Sequence, residues 1–104
     1  MIYSIEKITT LIGARRIGTA DAQIGWLLTD SRSLCFPEET LFFALKTARN
    51  DGHKYIEDLY RRGVRNFVVS SEWSMVNGQW SDANFLVVPS PLAALQRLAE
   101  RHRD

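Results

Sequence analysis

The sequence contains only one cysteine, Cys35, and two histidines, His53 and His102. A single cysteine excludes an internal disulfide and fits a reducing compartment, so we expect a cytoplasmic protein. These side chains are too few and too far apart in the sequence to predict a zinc site. Cys35 has no base near it, and we expect both histidines to lie on helices near the solvent. We therefore expect no catalytic residue and no metal in this chain.

Long apolar runs and an excess of either charge are also absent. The first residues, MIYSIEKITTLIG, do not combine a basic start with a long apolar segment, so we expect neither secretion nor a membrane partner. Thirteen basic residues nearly balance twelve acidic ones, which argues against a nucleic-acid partner. The loop G-x-x-x-x-G-K-[ST] does not occur, so we do not expect this chain alone to hydrolyse or use ATP.

The residues that are present predict one small α/β domain. A length of 104 residues leaves room for one core, and 45% hydrophobic with 24% charged residues is typical of a globular protein. Apolar spacing, caps and glycines predict helices over 5–12, 51–63 and from 90 onward, and strands over 14–17, 24–29, 41–45, 67–69 and 85–88. Because strand, helix and strand follow one another from 41 to 69, we expect a mixed sheet with a βαβ unit and flanking helices. Trp73 and Trp80 are expected to cover the edge of the core.

Polar turns directly follow two of the predicted strands. The turn Thr29-Asp30-Ser31-Arg32 stands at the end of the predicted strand 24–29, and the turn from Lys46 to Asp51 comes after the apolar run LFFAL. The carboxyl ends of strands in an open α/β sheet are where ligands bind. A nucleoside diphosphate needs hydroxyl and N–H donors with one or two cations, and Thr29, Ser31, Arg32, Arg49 and Asn50 are residues of those types. The alternative is that these side chains are simply solvated loop residues.

These same residues carry a resemblance to a known family. T-D-S-R, an eight-residue loop with a proline, L-F-F-A-L-K and R-N-D-G-H-K-Y-I together resemble the N-terminal domain of the Mur ligases, in the MurE/MurF branch. The similarity continues through R-G-V-R-N-F-V-V and N-F-L-V-V-P-S-P-L-A-A-L-Q-R-L-A, so it covers residues 1–104. The opening helix and the phrase LFFALKTARNDGHKY are more similar to MurF than to MurE. A form of MurF fused to an alanine racemase is similar in the same region.

The resemblance implies a function for a longer parent enzyme. MurF is an ATP- and magnesium-dependent ligase of peptidoglycan synthesis that forms an amide bond between UDP-N-acetylmuramoyl-tripeptide and D-alanyl-D-alanine. Its N-terminal domain holds the UDP part of the precursor, whereas a central domain carries the ATP loop and a C-terminal domain helps to bind the dipeptide. The central and C-terminal domains would be partners that this chain lacks, so we expect the fragment alone to be inactive and to hold no cofactor.

The resemblance also assigns roles to residues. The UDP contacts of the family fall on Thr29, Ser31 and the segment Ala48, Arg49 and Asn50. Ala48 offers no side-chain hydrogen bond, so a contact there must come from the backbone or from its two neighbours. Asp30 and Arg32 are expected to support the turn, Asp30 by capping backbone amides and Arg32 by pairing with an acid.

Two alternatives remain open at this point. One is a MurE-type domain, whose parent adds the third residue of the peptide. The other is a free-standing domain that serves as a nucleotide-sugar sensor or as a protein-interaction module. The third residue of the stem peptide, a fused racemase, the oligomeric state and the affinity of the isolated domain for UDP are not distinguished by the sequence.

Overall fold

The computed structural model describes residues 3–47, 51–71, 73 and 82–102, with the backbone alone at 101 and 102. Its main feature is a five-stranded mixed sheet in the order β2-β7-β6-β5-β4. The four strands β4, β5, β6 and β7 are parallel, and β2 pairs antiparallel with β7. Two further strands, β1 and β3, form a separate antiparallel pair. The strands are β1 Tyr3–Ser4, β2 Arg15–Ile17, β3 Gln23–Ile24, β4 Trp26–Leu28, β5 Thr40–Phe43, β6 Asn66–Ser70 and β7 Asn84–Val88.

In the described part of the chain, three α-helices flank the sheet: α1 Ile5–Leu11, α2 Ile56–Arg61 and α3 Pro91–His102. The Ser4 hydroxyl accepts the N–H of Lys7 at 3.1 Å, and the Ser90 hydroxyl accepts that of Ala93 at 3.2 Å. Each bond satisfies a backbone donor that the first helical turn leaves without a partner. Gly13 adopts a left-handed conformation, with φ of 65°, just after α1 ends. The helix caps predicted from the sequence are therefore confirmed.

The core lies on both faces of the sheet because side chains alternate along its central strands. Leu41 and Phe43 of β5 face α1 and α3, whereas Phe42 and Ala44 face α2. All four residues have no solvent exposure. A strand covered on both faces reads as a continuous apolar run, which explains LFFAL. Full burial of one such phenylalanine contributes about 1.5–3 kcal/mol to stability.

The predicted mixed α/β architecture is confirmed. Strand β5, helix α2 and strand β6 form the expected βαβ unit, with Phe42 opposite Phe67 in the parallel register. The parallel strands β4 to β7 end at one edge of the sheet. The turn that begins at Thr29 and the segment that begins at Ala44 therefore leave neighbouring strands at that edge. No helix of the described residues is both long and apolar enough to cross a membrane.

The structure corrects the strand predicted over 24–29. Gly25 separates two short strands there, because Ile24 pairs with Tyr3 whereas Trp26 pairs with Thr40. The N–H of Gly25 donates instead to the carbonyl of Glu39 at 2.9 Å. Strand β4 is an edge of the sheet, and the half-exposed ring of Trp26 stacks on Phe36 there.

The structure also corrects the prediction for His53, which is buried rather than near the solvent. It lies in a 3-10 helix, Gly52–Tyr55, that precedes α2, and its ring lies 5.6 Å from that of Trp73. Trp73 also lies 5.8 Å from Phe85, so it packs at the edge of the core as expected. Trp80 and the side chain of His102 are outside the described residues.

Candidate functional site

A tight polar turn follows β4. The carboxylate of Asp30 accepts the backbone N–H of Arg32 at 2.9 Å and so caps the 3-10 helix Ser31–Ser33. The Arg32 guanidinium returns to the same carboxylate, with Nη2 2.9 Å from Oδ2. The hydrogen bonds from Arg32 lower the pKa of Asp30, and the carboxylate raises the pKa of Arg32. Because the Arg32 side chain is 88% exposed, this pair adds little to global stability and acts mainly on the local geometry of the turn.

The hydroxyls of Thr29 and Ser31 remain available at this turn. Within the described residues neither hydroxyl has a hydrogen-bond partner, and the same holds for Nη1 of Arg32. The backbone of Ser31 is nevertheless held, because Nη1 of Arg62 donates to its carbonyl at 2.9 Å. Arg62 follows the last residue of α2, so this hydrogen bond links the end of the helix to the turn.

Tyr55 completes the wall of an open pocket. The pocket is lined by Thr29, Asp30, Ser31, Arg32 and Tyr55 and has a volume of about 530 Å³. The ammonium of Lys54 lies 5.2 Å from the centre of the Tyr55 ring. Tyr55 was not among the residues predicted for the site, and its position inside R-N-D-G-H-K-Y-I was the available signal. The pocket therefore combines hydroxyl donors, a guanidinium and one aromatic ring.

The second predicted segment, Ala48, Arg49 and Asn50, lies outside the described residues. The residues on either side of it are brought close together, since Lys46 and Asp51 form an antiparallel bridge. The N–H of Gly52 donates to the carbonyl of Leu45 at 2.7 Å. A Cβ atom at Gly52 would lie 2.8 Å from the nitrogen of Leu45, so this approach requires glycine.

Asp51 and His53 fix the beginning of the 3-10 helix Gly52–Tyr55. Oδ1 of Asp51 accepts the backbone N–H of His53 at 3.0 Å and lies 2.5 Å from Nδ1 of its ring. Burial opposes ionisation of Asp51, but the backbone and ring hydrogen bonds from His53 outweigh it and lower the pKa of that carboxyl. On the far side of the ring, Nε2 accepts the N–H of Ser70 at 3.0 Å.

The described part of the chain contains no group of three or more histidine, cysteine, aspartate or glutamate side chains placed to hold a metal ion. Cys35 is exposed, and its Sγ lies 3.6 Å from the carbonyl oxygen of Ser33. The hydroxyls of Thr29 and Ser31 and the guanidinium of Arg32 are hydrogen-bond donors suited to a polar, anionic ligand.

Comparisons with known proteins agree with this architecture. The chain is 30% identical over 101 residues to the UDP-N-acetylmuramoyl-tripeptide–D-alanyl-D-alanine ligase of Haemophilus influenzae, a match that covers 97% of this chain and 21% of the ligase. No family model matches the sequence.

Solved structures give the same result for the fold. A UDP-N-acetylmuramoylalanyl-D-glutamyl-2,6-diaminopimelate–D-alanyl-D-alanyl ligase from Acinetobacter baumannii superposes with a TM-score of 0.74 at 20% identity, over 94% of this chain and 21% of that one. A crystal structure of MurF from the same organism gives the same score and identity and is covered to 20%. The chain thus spans about a fifth of the length of the proteins it matches.

Sequence and fold together match one class of protein, the Mur ligases. Within that class the matches are to MurF, and this chain is similar to the N-terminal region of that ligase. The resemblance inferred from the sequence motifs is therefore confirmed.

Proposed function

We propose that this chain binds the UDP part of UDP-N-acetylmuramoyl-tripeptide as the N-terminal domain of a MurF-type ligase. The observation that carries the proposal is the turn at Thr29–Arg32, whose two hydroxyls lack partners within the described structure and line an open pocket. The turn lies at the carboxyl edge of a largely parallel sheet, where α/β folds bind nucleotides.

The chemistry of the pocket fits a pyrophosphate and a ribose. The hydroxyls of Thr29 and Ser31 donate to phosphate or ribose oxygens, and the guanidinium of Arg32 supplies a charged donor through its remaining N–H groups. Asp30 neutralises much of the charge of Arg32, so the site attracts a dianion only moderately by itself. Arg49 and Asn50, proposed as further contacts with the backbone of Ala48, would add a cation and an amide.

In the parent ligase the reaction would occur elsewhere. ATP, with magnesium, would transfer its terminal phosphoryl group to the terminal carboxylate of the precursor in the central domain and leave as ADP. The amine of D-alanyl-D-alanine would then displace phosphate from the acyl phosphate and lose a proton, which forms the amide bond. This domain would hold the remote end of the substrate, so its binding energy would be used for orientation. The parent ligase would act in peptidoglycan synthesis in the cytoplasm, and its central and C-terminal domains would be the partners of this domain.

An amide NMR titration tests the proposal. The chain is titrated with UDP-N-acetylmuramoyl-tripeptide and, separately, with UDP. Both ligands are expected to shift the amides of Thr29–Arg32, Asp51 and Tyr55. Absence of such shifts with either ligand at millimolar concentration would contradict the proposed site.

The variant Ser31→Ala sharpens the test. Loss of one hydrogen bond to a charged phosphate is expected to raise Kd for UDP by about tenfold. Ser33→Ala is the matched control, because Ser33 belongs to the same 3-10 helix but does not line the pocket. Equal weakening by both variants would indicate a general loosening of the turn instead of a lost ligand contact.

A further inference from the structure

The ring of His53 joins the beginning of the 3-10 helix Gly52–Tyr55 to the end of β6, beside the proposed nucleotide pocket. Its side chain is only 5% exposed, and both ring nitrogens are engaged. Nε2 faces the backbone N–H of Ser70, at the end of β6, which can only donate. Nε2 of the neutral ring must therefore accept, and the ring proton must lie on Nδ1, where it is donated to Asp51.

A single turn of 3-10 helix connects His53 to the pocket. His53 and Tyr55 belong to the 3-10 helix Gly52–Tyr55, and Tyr55 lines the pocket opposite the turn after β4. Asp51 holds the beginning of this helix through the cap. The ring of His53 holds it laterally against β6. Without the ring, the helix would lose this side-chain bond to the sheet.

We propose that His53 is a positioning residue for nucleotide binding and acts as its Nδ1–H tautomer. It sets the location of Tyr55 relative to Thr29 and Ser31 and does not contact the ligand. The inference rests on the proposed binding of UDP and adds to it the bonded unit Asp51–His53–Ser70. The D-G-H motif is thereby explained as a cap, a close backbone approach and a lateral hydrogen bond.

Two substitutions separate the hydrogen bond from the bulk of the ring. His53→Gln keeps a carbonyl oxygen within reach of the Ser70 N–H, whereas His53→Leu keeps only apolar volume. We expect His53→Leu to raise Kd for UDP by about tenfold and His53→Gln to restore most of the affinity. Ile8→Val, a mild core substitution on the other face of the sheet, is the control for lower stability and should leave Kd unchanged.

A long-range ¹H–¹⁵N NMR spectrum of the His53 ring gives a readout that packing alone would not determine. The expected spectrum shows a protonated Nδ1 and an unprotonated Nε2 at neutral pH. A proton on Nε2 would overturn the assigned hydrogen bond to Ser70. Equal affinity of His53→Leu and the unmodified chain for UDP would overturn the positioning role.

The two proposals can fail separately. If the unmodified chain does not bind UDP, the proposed function fails. The positioning role is then tested on the amide spectra of the variants without ligand. Shifts of the amides of Tyr55 and Thr29–Arg32 in His53→Leu, smaller in His53→Gln, would support it. Unchanged amides in both variants would overturn it.

Discussion

Gly52→Ala is the substitution whose cost follows most directly from the geometry. An added Cβ would lie 2.8 Å from the nitrogen of Leu45, 3.0 Å from its oxygen and 3.1 Å from the carbonyl carbon of Ala44. All three are backbone atoms, which cannot rotate away as the end of a side chain can. The 3-10 helix must therefore move outward, and the 2.7 Å hydrogen bond from Gly52 to Leu45 lengthens.

The expected cost is that of overpacking, about 1–3 kcal/mol in the free energy of unfolding. A domain of this size is stable by roughly 5–15 kcal/mol, and each kcal/mol lowers Tm by about 4–8 °C. Thermal unfolding followed by circular dichroism should therefore show a decrease of at least ~4 °C. Urea unfolding of the same variant gives an independent value of the free energy.

Gly13→Ala is the matched comparison, since its Cβ would meet only the flexible end of Arg97, at 3.5 Å. Its cost is conformational, about 1–2 kcal/mol for an alanine in the left-handed region, and Gly13→Asn should recover part of it. No such recovery is expected for Gly52→Asn, where the clash is with backbone. Stability of Gly52→Ala within ~0.5 kcal/mol of the unmodified chain would refute the reasoning.

Two further predictions concern stability. The lowered pKa of Asp51 means that its ionised form is favoured in the folded state, so this contribution is complete above the ordinary pKa of 3.8 and is lost as the pH falls through the folded value. Asp51→Asn keeps the cap but should flatten the decline in the free energy of unfolding below about pH 4, measured by urea unfolding at a series of pH values. Ser90→Ala removes the cap of α3 and should lower the free energy of unfolding, measured by thermal unfolding, by about 1 kcal/mol. Ser90→Asp should restore this stability. An unchanged Tm for Ser90→Ala would show that this cap contributes nothing.

Local signals made much of the fold predictable. The caps at Ser4 and Ser90 depend on residues close in sequence and lie where they were predicted. The strand predicted over 41–45 is also found, as β5 Thr40–Phe43, with its ends shifted by one and two residues. The edge of the sheet that carries Thr29–Arg32 also followed from the order of the strands, because parallel strands end on one side.

Long-range contacts explain what the sequence could not show. The division of the predicted strand at Gly25 depends on pairing with Tyr3 on one side and Thr40 on the other. The burial of His53 depends on Ser70 and Trp73, which are 17 and 20 positions away in the sequence. Tyr55 joins the pocket only through the 3-10 helix that this burial holds in place.

The hydrogen bond from Arg62 to the carbonyl of Ser31 joins residues 31 positions apart. It ties the last turn of α2, within the crossover between β5 and β6, to the loop that leaves β4. Native proteins open in cooperative units rather than residue by residue, and because this bond links the two segments we expect them to open as one unit. Slow hydrogen exchange at the end of α2 and at the turn should therefore share one opening free energy, and a ligand held by Ser31 would protect amides of a helix that it does not touch.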